Sequence, residues 1–106
     1  HLAAMAVDLD SARLLVLQAA SDLDQGLDAR ERISMVKVYA AEMLGRVADR
    51  AVQVHGGMGY CKDLAVERLY RDARIFRIYD GTSEIHRGII GRSIMKHGSS
   101  RFADIA

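Results

Sequence analysis

Not one proline occurs in the 106 residues, and no other feature narrows the fold as far. Proline breaks helix interiors and is at home in turns and sheet edges, so a chain without it is free to run long helices. Apolar or small side chains recur in steps of three and four at Leu2, Met5, Leu9, Ala12, Val16, Ala19 and Leu23. That is the period of one helical face, and no alternating stretch competes as a strand. The spacing predicts a helix over residues 2–25, stopped by Gly26 as a C-cap. Asp28 with Glu31 three residues later has capping-box spacing, with Asp in the Ser/Thr place. The stripe Ile33, Val36, Ala40, Met43, Val47, Ala51 and Val54 then predicts a second long helix. Gly56-Gly57-Met58-Gly59 should end it, at about 1 kcal/mol per glycine.

A third helix is expected from about Leu64 to Ile78, entered through Lys62-Asp63, and a last one from Ile85 to about Lys96. Between them Asp80-Gly81-Thr82-Ser83 has the composition of a turn and a helix start. Gly88 and Gly91 inside the last helix together cost roughly 2 kcal/mol, which a close helix or ligand contact would offset. The tail after Gly98 is expected to be short and frayed. The fold class is therefore all-α, an antiparallel helical bundle, and the length sets one domain as the ceiling. Two long and two short helices make a thin core. Leu14, Leu15 and Leu17 lie partly off the main stripe, as either a broad apolar face or a second buried face against a missing helix or another subunit would require, and the second is preferred. Helical pattern begins directly at His1, as expected for a piece of something longer.

Charge and composition exclude several classes. Fifteen Lys and Arg stand against fourteen Asp and Glu, for a net charge of +1, so no bulk basic field favours nucleic acid or an anionic membrane. No apolar run approaches the ~18 residues of a membrane span. One cysteine, Cys61, cannot make an intrachain disulfide, and with His55 it has no further ligands at metal spacing. Half the residues are hydrophobic, unlike a disordered chain. The glycine loop follows a helix rather than a strand and lacks both GxGxxG and GxxxxGK[ST], so it is neither a Rossmann nor a P-loop site. Arg68, Arg71, Arg74 and Arg77 step by three, and in an α-helix Arg68 and Arg77 then point to opposite sides. With Glu67 four before Arg71, and Asp72 four after Arg68, this reads as a solvated, ion-paired helix. Asp80, Ser83 and His86 are the residue types of a hydrolase triad, but the Asp shares a turn with the Ser instead of lying beyond the histidine.

Three blocks taken together are distinctive: Ala51-Val52-Gln53-Val54-His55-Gly56-Gly57-Met58-Gly59-Tyr60, Val66-Glu67-Arg68-Leu69-Tyr70-Arg71-Asp72-Ala73-Arg74, and Ile78-Tyr79-Asp80-Gly81-Thr82-Ser83-Glu84-Ile85-His86-Arg87. In content, order and spacing they resemble the C-terminal helical domain of the acyl-CoA dehydrogenase family, over nearly the whole chain. The resemblance implies that residues 1–106 are part of a C-terminal four-helix bundle lacking its first helix, and belong to a protein with an N-terminal helical and a middle β-domain. It implies FAD as cofactor, an acyl-CoA thioester oxidised at Cα–Cβ, an electron-transfer flavoprotein as electron acceptor, and a homodimer or homotetramer. A bacterial cytoplasm and a mitochondrial matrix both suit such a protein. The 106 residues alone are expected to be inactive.

Carried over by position, Gln53, Val54, His55, Gly56 and Gly57 match the segment that approaches the FAD dinucleotide, usually across the subunit interface. Thr82, Ser83 and Glu84 match a second FAD-contacting segment, at a helix N-terminus whose free N–H groups suit polar or anionic ligand atoms. Gly81 matches a position beside the substrate thioester, and Tyr79 the acyl pocket wall. Asp80 departs from the Glu that many members use to remove the substrate α-proton. It keeps the carboxylate but is shorter by one C–C bond, about 1.5 Å, and ~1 Å of misplacement can cost on the order of 100-fold in rate. Three accounts follow: the loop or substrate shifts so that Asp80 serves; a carboxylate on the first bundle helix serves instead, as in the isovaleryl and long-chain branches; or the chemistry is that of a related flavin oxidase, since nitroalkane oxidases of this superfamily use Asp as base. Asp80 as base is preferred. Against these stand a plain Asp-Gly turn that caps the last helix, and a non-enzymatic helical module whose apolar faces serve oligomerisation.

Overall fold

In the computed structural model residues 1–98 are described, and the expected frayed tail lies outside them. Helix α1 spans Leu2–Asp24, α2 Arg30–His55, α3 Gly57–Tyr60, α4 Val66–Arg74, continued by a 3-10 turn at Ile75–Arg77, and α5 Ser83–His97. Gly26 ends α1 from just beyond its cap, at φ +72°. Its N–H bonds to the Leu23 carbonyl, and the Leu27 N–H bonds to that of Asp22. This is the Schellman pattern, which needs a left-handed residue at that point. The expected capping box forms only in part. The Asp28 carboxylate accepts the Arg30 N–H at 3.1 Å, while Glu31 accepts from the Ser93 hydroxyl on α5 instead of turning back to the cap.

The bundle is organised around α2, against which α1, α4 and α5 each pack. Contacts run from early α1 to late α2 and from late α1 to early α2, so the pair is antiparallel, as expected. The seam is not the stripe that hydropathy selected. Ala12 and Ala19 are buried on it, but Leu2, Leu9, Val16 and Leu23 are exposed. The positions between are filled by Asp8 and Asp22. Asp22 meets Arg32 at 3.0 Å, and Asp8 meets Arg46 at 2.9 Å and Arg50 at 2.6 Å. Alanine dominates the interior: among the described residues the buried hydrophobics are Ala12, Ala19, Ala29, Ala41, Ala48, Ala73 and Met43. Small side chains let the helices approach closely and leave the large apolar ones outside. Leu14 and Leu17 are 67% and 58% exposed. The radius of gyration, 16.6 Å, exceeds the about 13 Å of a compact domain of this size. No helix among the described residues is long and apolar enough to cross a membrane.

The Asp8 cluster makes stability depend on acid. Hydrogen bonds from Arg46 and then Arg50 hold the Asp8 carboxyl at about 2, against 3.8 unperturbed. A carboxyl lowered by folding stabilises the fold fully above its unfolded value, and that contribution is lost as pH falls through its folded value. Asp8→Asn should therefore lower the melting temperature near neutrality and flatten its decline between about pH 5 and about pH 2.5, as read by circular dichroism melts. Parallel declines in the two proteins would deny the cluster this role.

Candidate functional site

The second expected site segment begins where α4 runs out. The 3-10 turn closes with the Ile78 and Tyr79 N–H groups both on the Ile75 carbonyl, at 2.8 and 3.1 Å. Beyond it the chain leaves regular structure until α5. Asp80 takes φ +53° and Gly81 φ +88°, the left-handed region that Asp tolerates better than most residues. Gly81 is required twice over, because a Cβ there would also lie 2.7 Å from His86 Nε2. Thr82 caps α5, its hydroxyl accepting the Ile85 N–H at 3.2 Å. The first backbone bond of that end runs from the His86 N–H to the Thr82 carbonyl, which leaves the Ser83 and Glu84 N–H groups directed out of the helix end. The Ser83 side chain is buried, its Oγ without a hydrogen-bond partner, so this residue offers its main chain rather than its hydroxyl. Glu84 is exposed, and Tyr79 packs edge-on against Phe76 at 5.2 Å.

Around this turn stand residues that sequence reasoning missed. Lys37 on α2 donates from Nζ to the Phe76 carbonyl at 2.5 Å and to the Tyr79 carbonyl at 3.1 Å, and lies 5.4 Å from the centre of the Tyr79 ring. His86 bridges Asp80 to α2: Nε2 lies 3.3 Å from the Asp80 carbonyl and Nδ1 3.2 Å from the buried Ser34 hydroxyl. The carbonyl can only accept, which assigns a hydrogen to Nε2; Nδ1 completes the bridge to the Ser34 hydroxyl, which can donate or accept. The one available signal was a lysine inside the apolar run Val36-Lys37-Val38. The triad types do not assemble. His86 reaches Asp80 through the main chain only, and Ser83 is turned inward. The Asp80 carboxylate itself is exposed and makes no hydrogen bond or ion pair among the described residues.

The first expected site segment closes α2 at the other end. Gln53, Val54 and His55 are exposed there, and the His55 Nδ1–H donates back to the Ala51 carbonyl at 2.7 Å. The three glycines that follow serve different ends. Gly56, at φ +59° and ψ −142°, occupies backbone space essentially closed to other residues. Gly59 is buried, and a Cβ there would lie 2.6 Å from the Val52 carbonyl oxygen. Gly57 has neither reason: it opens the single turn α3 and faces open space. Helix α2 thus ends where expected, but the run breaks it only at Gly56 and then resumes for one turn. Lys37 and His55 are eighteen positions apart on α2, about 27 Å at the helical rise. A single copy of the chain therefore keeps the Asp80–Glu84 turn and the Gln53–Gly57 segment at opposite ends of its longest helix.

Two further expectations meet the structure nearby. Glu67 does pair with Arg71, at 3.2 Å, but no Asp72–Arg68 ion pair forms among the described residues. After Arg74 the helix tightens to 3-10 over residues 75–77, where three residues complete a turn. Arg71, Arg74 and Arg77 line one cavity of about 690 Å³ with Arg46 and Asp49, and Arg68 is not part of that lining. A Cβ at Gly88 or Gly91 would meet nothing closer than 3.7 Å among the described residues, so no contact among them accounts for these glycines.

Residues 1–95 match the sequence profile described as acyl-CoA dehydrogenase, C-terminal domain. The caffeyl-CoA reductase–Etf complex subunit CarC of Acetobacterium woodii is 45% identical over 95 residues, covering 90% of this chain and 25% of that protein. The structure of butyryl-CoA dehydrogenase from Megasphaera elsdenii superimposes with a TM-score of 0.86 at 35% identity, over 89% of this chain and 24% of that one. A structure described as the FAD complex of PigA superimposes at 0.81 with 30% identity, over 87% and 24%. The chain spans about a quarter of the length of the relatives it matches.

Proposed function

Because this chain belongs to the acyl-CoA dehydrogenase family, as its C-terminal domain, we propose that it supplies the base and two cofactor-contacting segments of an FAD-dependent enzyme acting on the Cα–Cβ bond of an acyl-CoA thioester. The observation that carries this reading is the Asp80 carboxylate: its main chain is tied down on both sides while the acid itself is exposed and unbonded. A general base needs that combination of fixed position and free lone pairs. FAD, when bound, supplies the acceptor for the hydride leaving Cβ. Asp80 takes the α-proton, and the electron pair of that C–H bond becomes the new Cα=Cβ bond. Gly81 leaves room beside the thioester, and Tyr79 forms part of the acyl wall.

The residues present fit the cofactor. The Ser83 and Glu84 N–H groups at the start of α5 suit acceptor atoms of a polar ligand, with Thr82 holding that helix end. Gly57, unneeded by the fold of this chain, leaves the backbone open to close approach at the end of α2, beside Gln53, Val54, His55 and Gly56. The separation of the two segments along α2 favours FAD held between two copies, hence a homodimer or homotetramer. Leu14, Leu17 and the other outward apolar residues then belong to contacts with the rest of a larger protein, and the 106 residues alone would be inactive. An electron-transfer flavoprotein is the expected electron partner, supported by the Etf-complex relative. That same relative is named a reductase, which favours a second reading at the same site: protonated Asp80 would give a proton to Cα of an enoyl thioester, with reduced FAD, when bound, supplying the hydride for Cβ. Anaerobic titration of the full-length flavoprotein tests both. Bleaching of the flavin absorbance by a saturated acyl-CoA is expected on the first reading, and reoxidation of reduced flavin by an enoyl-CoA on the second. A full-length protein that binds no flavin would leave only a helical oligomerisation module.

A further inference from the structure

We propose that Lys37 and the Ser34–His86 pair are positioning residues that fix the backbone of Asp80 and so aim its carboxylate, an inference that rests on Asp80 being the base. Two peptide planes meet at the Asp80 Cα, and each carries one carbonyl. The plane before it carries the Tyr79 oxygen, held by Lys37 Nζ at 3.1 Å, and the plane after it carries the Asp80 oxygen, held by His86 Nε2 at 3.3 Å. Fixing both planes fixes φ and ψ of Asp80 together, and with them the direction of its Cα–Cβ bond. The second Lys37 bond, to the Phe76 carbonyl at 2.5 Å, anchors the same ammonium one turn earlier. Both braces end on α2, at Lys37 and at buried Ser34, which lie three residues apart and so share a face. Helix α2 is packed on several sides, so the loop is tied to the stiffest element of the chain.

The brace has work to do. Among the described residues Asp80 and Gly81 make no backbone–backbone hydrogen bond, and φ +53° at a residue with a Cβ is the small, sparsely populated left-handed region. Released, Asp80 relaxes toward negative φ, and its carboxylate swings away. Because the short Asp side chain cannot compensate as a longer one would, the backbone must be held more tightly. A misplacement of ~1 Å costs on the order of 100-fold in rate.

The test is Lys37→Met in the full-length FAD-loaded protein, with Lys37→Arg as the conservative variant and Asp80→Asn alongside. Lys37→Met is expected to slow flavin reduction by acyl-CoA about 100-fold and to raise the primary isotope effect of deuterium at Cα. The FAD content and the affinity for a non-oxidisable acyl-CoA analogue should stay within about twofold, and Lys37→Arg should recover most of the rate. Adding Lys37→Met to Asp80→Asn should slow nothing further, because Lys37 acts only through the base. Should Lys37→Met fail to retain FAD, His86→Leu cuts the other brace and takes the same measurements. An unchanged rate and isotope effect in Lys37→Met and His86→Leu, with Asp80→Asn inactive, would overturn the brace and leave the base standing. Unchanged reduction in Asp80→Asn would overturn the base itself.

Discussion

Asp80→Asn in the full-length flavoprotein is expected to lose substrate-dependent flavin reduction by about 100- to 10,000-fold, the range a positioned general base contributes, while FAD content stays at the wild-type level. Asn keeps the size of the side chain and removes its basicity. The carboxylate has no hydrogen-bond or ion-pair partner among the described residues, so its loss breaks no contact that holds the turn. The turn is held instead by its carbonyls, on Lys37 and His86. Asp80→Glu should fall between wild type and Asn, since it keeps a base but moves it by about one C–C bond, 1.5 Å. The readout is anaerobic stopped-flow absorbance of the flavin under single-turnover conditions, which separates chemistry from product release. Wild-type reduction rates in Asp80→Asn would move the base to another carboxylate.

The second large effect separates two glycines that lie two residues apart. Gly59→Ala should destabilise the domain by ~1–3 kcal/mol, the usual penalty of overpacking, because the new methyl would lie 2.6 Å from a backbone carbonyl of α2. Backbone yields less readily than the end of a flexible side chain. Gly57→Leu should do the reverse: the position is helical and faces open space, and Leu is the better helix former by roughly 1 kcal/mol, so the denaturation midpoint should hold or rise. The effect should fall on the cofactor instead, with FAD affinity down at least about tenfold, or 1.4 kcal/mol. The bound-flavin-to-protein ratio, set beside urea denaturation of the apoprotein, resolves the two. Full FAD loading in Gly57→Leu would remove the end of α2 from the cofactor site.

The four longer helices and their order were legible, though not the single turn α3, because periodicity of three and four over twenty residues has few other meanings, and because Gly26 and Thr82 carry local cap chemistry. The α1–α2 seam was not. Hydropathy ranks Leu9 and Val16 above Asp8 and Asp22, yet the aspartates face α2, because their partners Arg32, Arg46 and Arg50 stand on it. A charge is buried only beside its counter-charge, and that partner lies far away in sequence. The 3-10 stretch after α4 was not legible either, since nothing in Ile75-Phe76-Arg77 announces a change from α to 3-10. At the site, the cap at Thr82 was readable from residue type. The braces on Asp80 were not, since Ser34, Lys37 and His86 are ordinary residues made specific only by where α2 and α5 bring them.

Helix α2 carries the anchor of the Asp80 turn near its start and the Gln53–Gly57 segment at its end, with an unbroken helical ladder between. Such a helix behaves as a ruler. Substitutions along it alter packing by small steps, but one inserted or deleted residue shifts the far end by about 1.5 Å and rotates it by about 100°, so that one half-site turns away from whatever the other still meets. Length variation in this protein should therefore gather in the connection between α1 and α2 and in residues 61–65, while the stretch from Ser34 to Gly57 keeps a fixed number of residues even where its side chains change.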